Sequence, residues 1–150
     1  EIFRDTLQGA PLISNKSIWR RFPRVINERW ACGNRVLLGD ALHTAHFSIG
    51  SGTRLAMEDA VALARALKEN SFNIPAALEA YEQSRKPQVD RLVAAANASA
   101  QWYENFAGHM QLPPLEFAMS YITRSGRVDS ERLRQTSPEF MAEYEAARAS

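Results

Sequence analysis

Cysteine is all but missing from this sequence: Cys32 is the single one in 150 residues, so no internal disulfide can form. A lone thiol fits a reducing compartment, and the cytoplasm is the expected location. Long hydrophobic runs are absent too. Stretches such as Val36-Leu37-Leu38 and Ala94-Ala95-Ala96 fall far short of the ~20 residues that cross a bilayer as a helix. Neither sign of charge dominates, since 18 Lys and Arg face 17 Asp and Glu for a net charge of +1. No long-range field then recruits a nucleic acid backbone or an anionic membrane, and neither partner is expected. With 7 Gly, 7 Pro and 45% hydrophobic residues, low complexity and disorder are excluded as well. The chain opens on Glu1 without a basic-then-apolar signal segment, and it reads as a processed or truncated piece of something longer.

The length suits one core and one domain. Residues Glu1 to Leu7 read as a short helical end closed by Gly9 and Pro11. Trp19, Phe22, Val25 and Ile26, scattered among arginines, read as strand and connection. Arg35-Val36-Leu37-Leu38-Gly39-Asp40 is a short apolar run between turn signals, the pattern of a strand buried on both faces. A loop from Ala41 to Gly52 follows. Helical spacing of Met57, Ala60, Val61, Ala64 and Leu67 then predicts a helix of about four turns, with Ser51 or Thr53 as cap and Asn70 as stop. Asn73-Ile74-Pro75 opens another helix, which Pro87 is expected to kink or restart. Beyond it, Val89, Leu92, Val93, Ala96, Ala100 and Tyr103 form an apolar stripe, with Asp90, Arg91, Asn97 and Gln101 off it. Shorter helices are expected over Leu115 to Tyr121, Ser130 to Gln135 and from Ser137-Pro138 to Ala149. The fold class is thus helix-dominated α+β, with few short strands followed by a helical region.

The stretch that can carry chemistry runs from Gly39 to Thr53. Asp40 stands at the carboxyl end of the expected strand, where ligands bind in parallel sheets, and is a short acceptor suited to ribose or polyol hydroxyls. Gly50 and Gly52 let backbone approach a ligand closely, and the N–H groups that open the Thr53 helix offer partial positive charge to an electron-rich oxygen. A nucleotide or flavin suits such a site. Two other readings stand beside it. The glycines and Asp40 can be ordinary turn punctuation in a free-standing helical binding module. Asp40, His43 and His46 can also be read as metal ligands, but the sequence shows no fourth ligand and His43 is better read as a hydrogen-bonded loop residue.

Gly39-Asp40-Ala41-x-His43, then Gly50-x-Gly52 and Leu55-Ala56-Met57-Glu58-Asp59-Ala60-x-x-Leu63-Ala64-x-x-Leu67, resembles the second flavin-binding motif of the aromatic-ring hydroxylases, the single-component FAD monooxygenases related to para-hydroxybenzoate hydroxylase. The wording from His46 to Ala60 is most similar to members acting on aromatic coenzyme A thioesters, with salicyloyl-CoA and 2-aminobenzoyl-CoA as substrate types. The resemblance covers most of the chain.

It implies that Gly39 and Asp40 belong to the cofactor site, with Asp40 on the ribityl or adjacent hydroxyls. Gly50, Ser51, Gly52 and Thr53 would present N–H groups to the N1–C2=O edge of the isoalloxazine. A helix N-terminus there favours the negative charge of reduced flavin by ~0.3–1 kcal/mol. Many relatives carry Pro at His46 or Phe47 and Asn at Arg54, so the loop is expected to shape a different substrate space. His46, whose ordinary pKa of ~6.5 lies near working pH, becomes the candidate catalytic acid or base, beside a purely structural role in the loop. Tyr81-Glu82-x-x-Arg85-x-Pro87 is similar to the family's next helix, and Arg85 is expected to pair with Asp59 or Glu58. Trp102, Tyr103, Phe106 and Tyr121 read as core, or else as a platform for an acyl-CoA adenine. Cys32 receives no role.

A Gly-x-Gly-x-x-Gly pyrophosphate motif occurs nowhere in these residues, so the chain is not expected to hold the dinucleotide alone. The implied whole is the C-terminal part of an FAD/NAD(P)-binding α/β monooxygenase module. Residues 1–35 would be the end of substrate-domain strands and connection, 36–70 the strand–loop–helix flavin motif, and 71–150 the helical region. The function implied is hydroxylation of an aromatic ring with FAD, O2 and NAD(P)H, by a protein that is catalytically inactive as this piece alone. The missing N-terminal part of the same polypeptide is the expected partner, beside a homo-oligomer. In such a piece the Val36-Leu37-Leu38 edge and the Met57/Val61 face should lack partners, whereas a free-standing module should cover them.

Overall fold

The computed structural model describes residues 3–11, 18 and 21–149. Trp19 lies outside the described residues, as do the first two positions of the expected N-terminal helix. That helix, α1, spans Arg4–Leu7 and is closed by Gln8 in a left-handed conformation. A two-stranded antiparallel hairpin follows, β1 (Ala31–Cys32) against β2 (Arg35–Val36), with Ala31 opposite Val36. Gly33 turns it at φ +61°, a backbone angle that two-residue hairpin loops give to glycine.

The strand expected over residues 35–40 is corrected here. It ends after Val36, and Leu37 and Leu38 are each 37% exposed. The described residues contain no third strand to take its free edge, so the chain leaves extended geometry at Leu38 and coils into a 3-10 turn, Gly39–Ala41. A second such turn, Phe47–Ile49, ends at Gly50 with φ +60°.

The rest is helical. Helix α2 spans Gly52–Glu69, and Asn70 stops it as expected, donating from its side chain to the Ala66 carbonyl at 2.8 Å. Helix α3, Ile74–Glu104, starts at Asn73, whose side chain accepts from the Ala76 N–H. Pro87 neither breaks nor restarts it. Tyr81, Arg85 and Val89 lie one turn apart on the face buried against α2, so tertiary packing holds the helix on both sides of the proline against its local cost. Four helices complete the chain: α4 (Phe106–His109), α5 (Pro114–Thr123), α6 (Ser130–Thr136) and α7 (Pro138–Ala149). Pro114 stands in the first turn of α5 and Asp129 caps α6 through its side chain, two local signals that the sequence reading did not use.

The main core gathers Trp30, Leu42, Leu55, Ala66, Tyr81 and Val89 between the hairpin, the turn and α2/α3. A second cluster, Met119, Leu133 and Met141, joins α5, α6 and α7. Between them Trp102 is buried under Tyr103, Phe106, His109, Phe117 and Tyr121, and its indole N–H donates to Ser120 Oγ. Of the aromatic series read from α3 to α5, Trp102 alone is core; Tyr103, Phe106 and Tyr121 pack against it but are each about 40% exposed, so the expectation that all four are core is corrected. Among the described residues no helix is long and apolar enough to cross a membrane.

Tyr81 is fully buried and its hydroxyl has no hydrogen-bond partner among the described residues. Burial first, and the negative charge of Asp59 second, raise its pKa above the ordinary 10.0, against the opposing pull of Arg85. The folded state therefore keeps the phenol proton more tightly than the unfolded chain, and stability should fall as pH climbs above 10.0. Tyr81→Phe should flatten that alkaline loss and, by removing an unpaired buried hydroxyl, keep or raise stability at neutral pH by up to ~1 kcal/mol. Urea unfolding of both forms across the alkaline range reads this directly; an unchanged alkaline slope in the variant would refute it.

Candidate functional site

The site is built around one buried carboxylate. Asp59, in the second turn of α2, is 0% exposed and accepts from three parts of the chain. The Gly39 N–H reaches Oδ2 at 3.1 Å and His43 Nε2 donates to the same oxygen at 2.8 Å. Arg85 on α3 grips Oδ1 through Nε at 3.1 Å and Nη2 at 2.9 Å. The same guanidinium donates to Glu58 Oε2 at 3.2 Å, so the expected pairing of Arg85 is with both acids. All acceptor capacity that Asp59 turns inward is thus met by donors, as a buried charge requires.

This knot fixes the turn that presents Asp40. Gly39 is buried at φ +60°, where an added Cβ would stand 3.2 Å from Ala56 Cβ, so the turn lies directly on α2. Residues 21–27 are tied to the same turn. Val25 and Thr44 exchange backbone and hydroxyl hydrogen bonds, and Asn27 Nδ2 donates to the Leu42 carbonyl at 2.6 Å.

On the solvent side, these constraints open a cleft of about 830 Å³. Of the residues singled out in the sequence, Asp40, His46, Gly50, Ser51, Gly52 and Thr53 all line it. Gly39 does not; it is buried beneath the turn with its N–H on Asp59. Phe22, Pro23, Arg24 and Asn97 also line the cleft and were not read as site residues. The one signal for any of them was Asn97, a polar residue beside the apolar stripe of α3.

Three features give the cleft its chemistry. Asp40 is exposed and makes no hydrogen bond or ion pair within the described residues. Ser51 does not cap α2 but donates its hydroxyl to the Ile49 carbonyl, which leaves the first N–H groups of α2 uncapped at the cleft. His46 stacks on Phe47 at 4.3 Å and its Nδ1 accepts from the Ser48 N–H at 3.2 Å. The neutral imidazole therefore carries its proton on Nε2 and offers the cleft a donor. Phe47 packs on Phe22 at 5.2 Å, forming an apolar wall beside it.

The metal reading does not survive this geometry. His43 turns inward to Asp59, away from the cleft where Asp40 and His46 lie, and among the described residues no three His, Cys, Asp or Glu side chains are placed to hold a metal ion.

A turn carrying an exposed acidic residue, laid against the uncapped N-terminus of a long helix, can meet hydroxyl donors on one side and an electron-rich oxygen on the other. Residues 5–96 match the family model described as the FAD binding domain, and the chain belongs to that family. It is similar to salicyloyl-CoA 5-hydroxylase of a Streptomyces species, 46% identical over 127 residues that make up 83% of this chain and 25% of that protein. The 3-hydroxy-4-methyl-anthranilyl-[aryl-carrier protein] 5-monooxygenase of Streptosporangium sibiricum is 42% identical over 85% of this chain and 35% of its own length. The 3-hydroxybenzoate 6-hydroxylase of Polaromonas naphthalenivorans is 33% identical over 64% of the chain. The chain thus spans a quarter to about a third of the length of the first two relatives.

Asp59→Asn should destabilise the protein by ~3–5 kcal/mol, because it removes the buried counter-charge of Arg85 and leaves the guanidinium only the partly exposed Glu58. The paired change Asp59→Leu with Arg85→Met should cost less than the sum of the two single changes. Denaturant midpoints of the four proteins test this; additive losses would show that the pair is not coupled.

Proposed function

We propose that the cleft between the Gly39–Ala41 turn and the head of α2 holds the flavin end of FAD, and that the chain works as the C-terminal part of a monooxygenase module that hydroxylates an aromatic ring. The observation that carries this reading is the convergence of Asp40, Gly50, Ser51, Gly52, Thr53 and His46 on one cleft of a size suited to a cofactor ring and a small substrate, in a member of the FAD binding domain family. In this division residues 1–35 end the substrate-domain strands, 36–70 form the flavin motif and 71–150 the helical region.

The exposed apolar surface supports a piece of a larger module over a free-standing one. Leu37 and Leu38 stand open at the strand edge, and Met57 and Val61 on α2 are 66% and 59% exposed. Residues elsewhere in the longer module would cover them and supply the pyrophosphate site that this sequence lacks.

FAD, when bound, supplies the electron storage and oxygen chemistry, with NAD(P)H as reductant and O2 as co-substrate. The chain's own residues do the rest. The Asp40 carboxylate accepts from ribityl or neighbouring hydroxyls. The uncapped N–H groups of α2 and the helix dipole favour negative charge at the adjoining ring edge. His46 holds its proton on Nε2 and donates it as a hydrogen bond to an oxygen or nitrogen on the substrate ring. Phe22 and Phe47 keep water from that side of the ring. The substrate class we favour is an aromatic acyl thioester of coenzyme A, the class named for the Streptomyces relative.

The test is made on the whole polypeptide that carries this segment. It should purify with bound FAD and show NAD(P)H oxidation stimulated by aromatic acyl-CoA. Asp40→Ala should weaken FAD binding ten- to a hundredfold, the loss expected for hydrogen bonds to a charged acceptor. A polypeptide that binds no flavin, or an Asp40→Ala form with unchanged affinity, would overturn the reading.

His46 has its own expectation. Nitrogen-15 spectra of the imidazole should show a proton on Nε2 in the neutral form. His46→Gln, which can keep an amide donor, should retain more turnover than His46→Leu; equal loss in both would remove the donor role.

A further inference from the structure

A second cleft draws on positions of α2 and α3 that are close in sequence to those lining the first. It encloses about 340 Å³ and is lined by three arginines, Arg54, Arg91 and Arg127, with one carboxylate, Glu58. Glu58 is already shared between Arg85 at 3.2 Å and Arg54 at 3.5 Å. Arg91 and Arg127 make no hydrogen bond or ion pair within the described residues, and both are exposed. Arg54 is in the first turn of α2 and Arg91 is on α3, while Arg127 comes from the loop between α5 and α6, which turns at Gly126 with φ +67°. Three elements distant in sequence thus bring like charges round one opening. Their mutual repulsion is unfavourable until an anion fills it, and guanidinium groups suit a phosphate because they can meet its oxygens in a bidentate manner.

The two clefts are neighbours along both helices. Arg54 follows Thr53, and Ala95 at the arginine cleft stands two residues before Asn97 at the other. We infer that the arginine cleft is a phosphate site for the nucleotide arm of a coenzyme A thioester whose acyl ring lies in the cleft at the head of α2. This rests on the acyl-CoA reading given above. The reacting ring needs enclosure, whereas the anionic arm can stay at the surface, where this cleft is open.

The experiment uses the full-length flavoprotein with Arg91→Ala, Arg127→Ala and the double variant, all at exposed positions outside the cofactor cleft. Each single change should raise KM for the aromatic CoA thioester about tenfold and the double change further, with kcat altered less than twofold. KM for the same acyl group on pantetheine, which lacks the phosphates, should not move, and neither should KM for NAD(P)H. Arg127→Lys should restore part of the loss, and binding of free coenzyme A by calorimetry should weaken in the variants and with added salt.

Equal shifts for both thioesters, or none for either, would overturn the site. A rise confined to NAD(P)H would reassign the arginines to the reductant and likewise overturn the coenzyme A proposal. If the protein hydroxylates no aromatic thioester, the functional reading falls by itself. Calorimetry with coenzyme A on the same variants still decides the arginine site: weakening that tracks the arginines supports it, and unchanged or absent binding overturns it.

Discussion

The carboxylate of Asp59 is the constraint on which the rest depends. A fully buried negative charge is tolerable only when donors surround it, and here a backbone N–H, an imidazole and a guanidinium do so from the 39–43 segment and from α3. Satisfying Asp59 therefore fixes the turn on α2, the crossing of α3 over α2, and the direction in which the intervening loop leaves.

The motif has two sides as a result. Gly39, His43 and Asp59 face inward and hold the joint; Asp40, His46 and the Gly50–Thr53 segment face outward and form the cleft. Chemically similar neighbours are separated in this way. Asp40 and Asp59 are both acids in one motif, yet the first is exposed and free to accept a ligand's hydroxyls while the second is fully occupied by the protein. His43 and His46 divide likewise: His43 has spent Nε2 on Asp59, whereas His46 has spent Nδ1 on Ser48 and keeps Nε2 for the cleft.

Much of the helical layout was legible because it rests on local chemistry. The Asn70 stop, the Asn73 start and the proline that opens α7 act within a turn of their own positions. Arg85 pairing with the acids of α2 could be read from the resemblance to a known motif. The strand over residues 35–40 and the helix restart at Pro87 were misread for a common reason. A strand's length depends on what pairs with its edges, and a helix survives a proline when packing on both sides outweighs the lost hydrogen bond. Neither condition is written in the residues concerned.

By itself, then, the sequence determined which residue types stand near Asp40, where several of the helices start and stop, and which family the motif belongs to. Only the tertiary structure decided which of them face the cleft. It withdrew Gly39 and His43 into the joint, brought Phe22, Arg24 and Asn97 to the cleft wall, and set Arg127 beside Arg54 and Arg91. The reason is that capping and periodicity act over a few residues, whereas a cleft is defined by distant segments meeting, and here their meeting follows from where the buried carboxylate finds its donors.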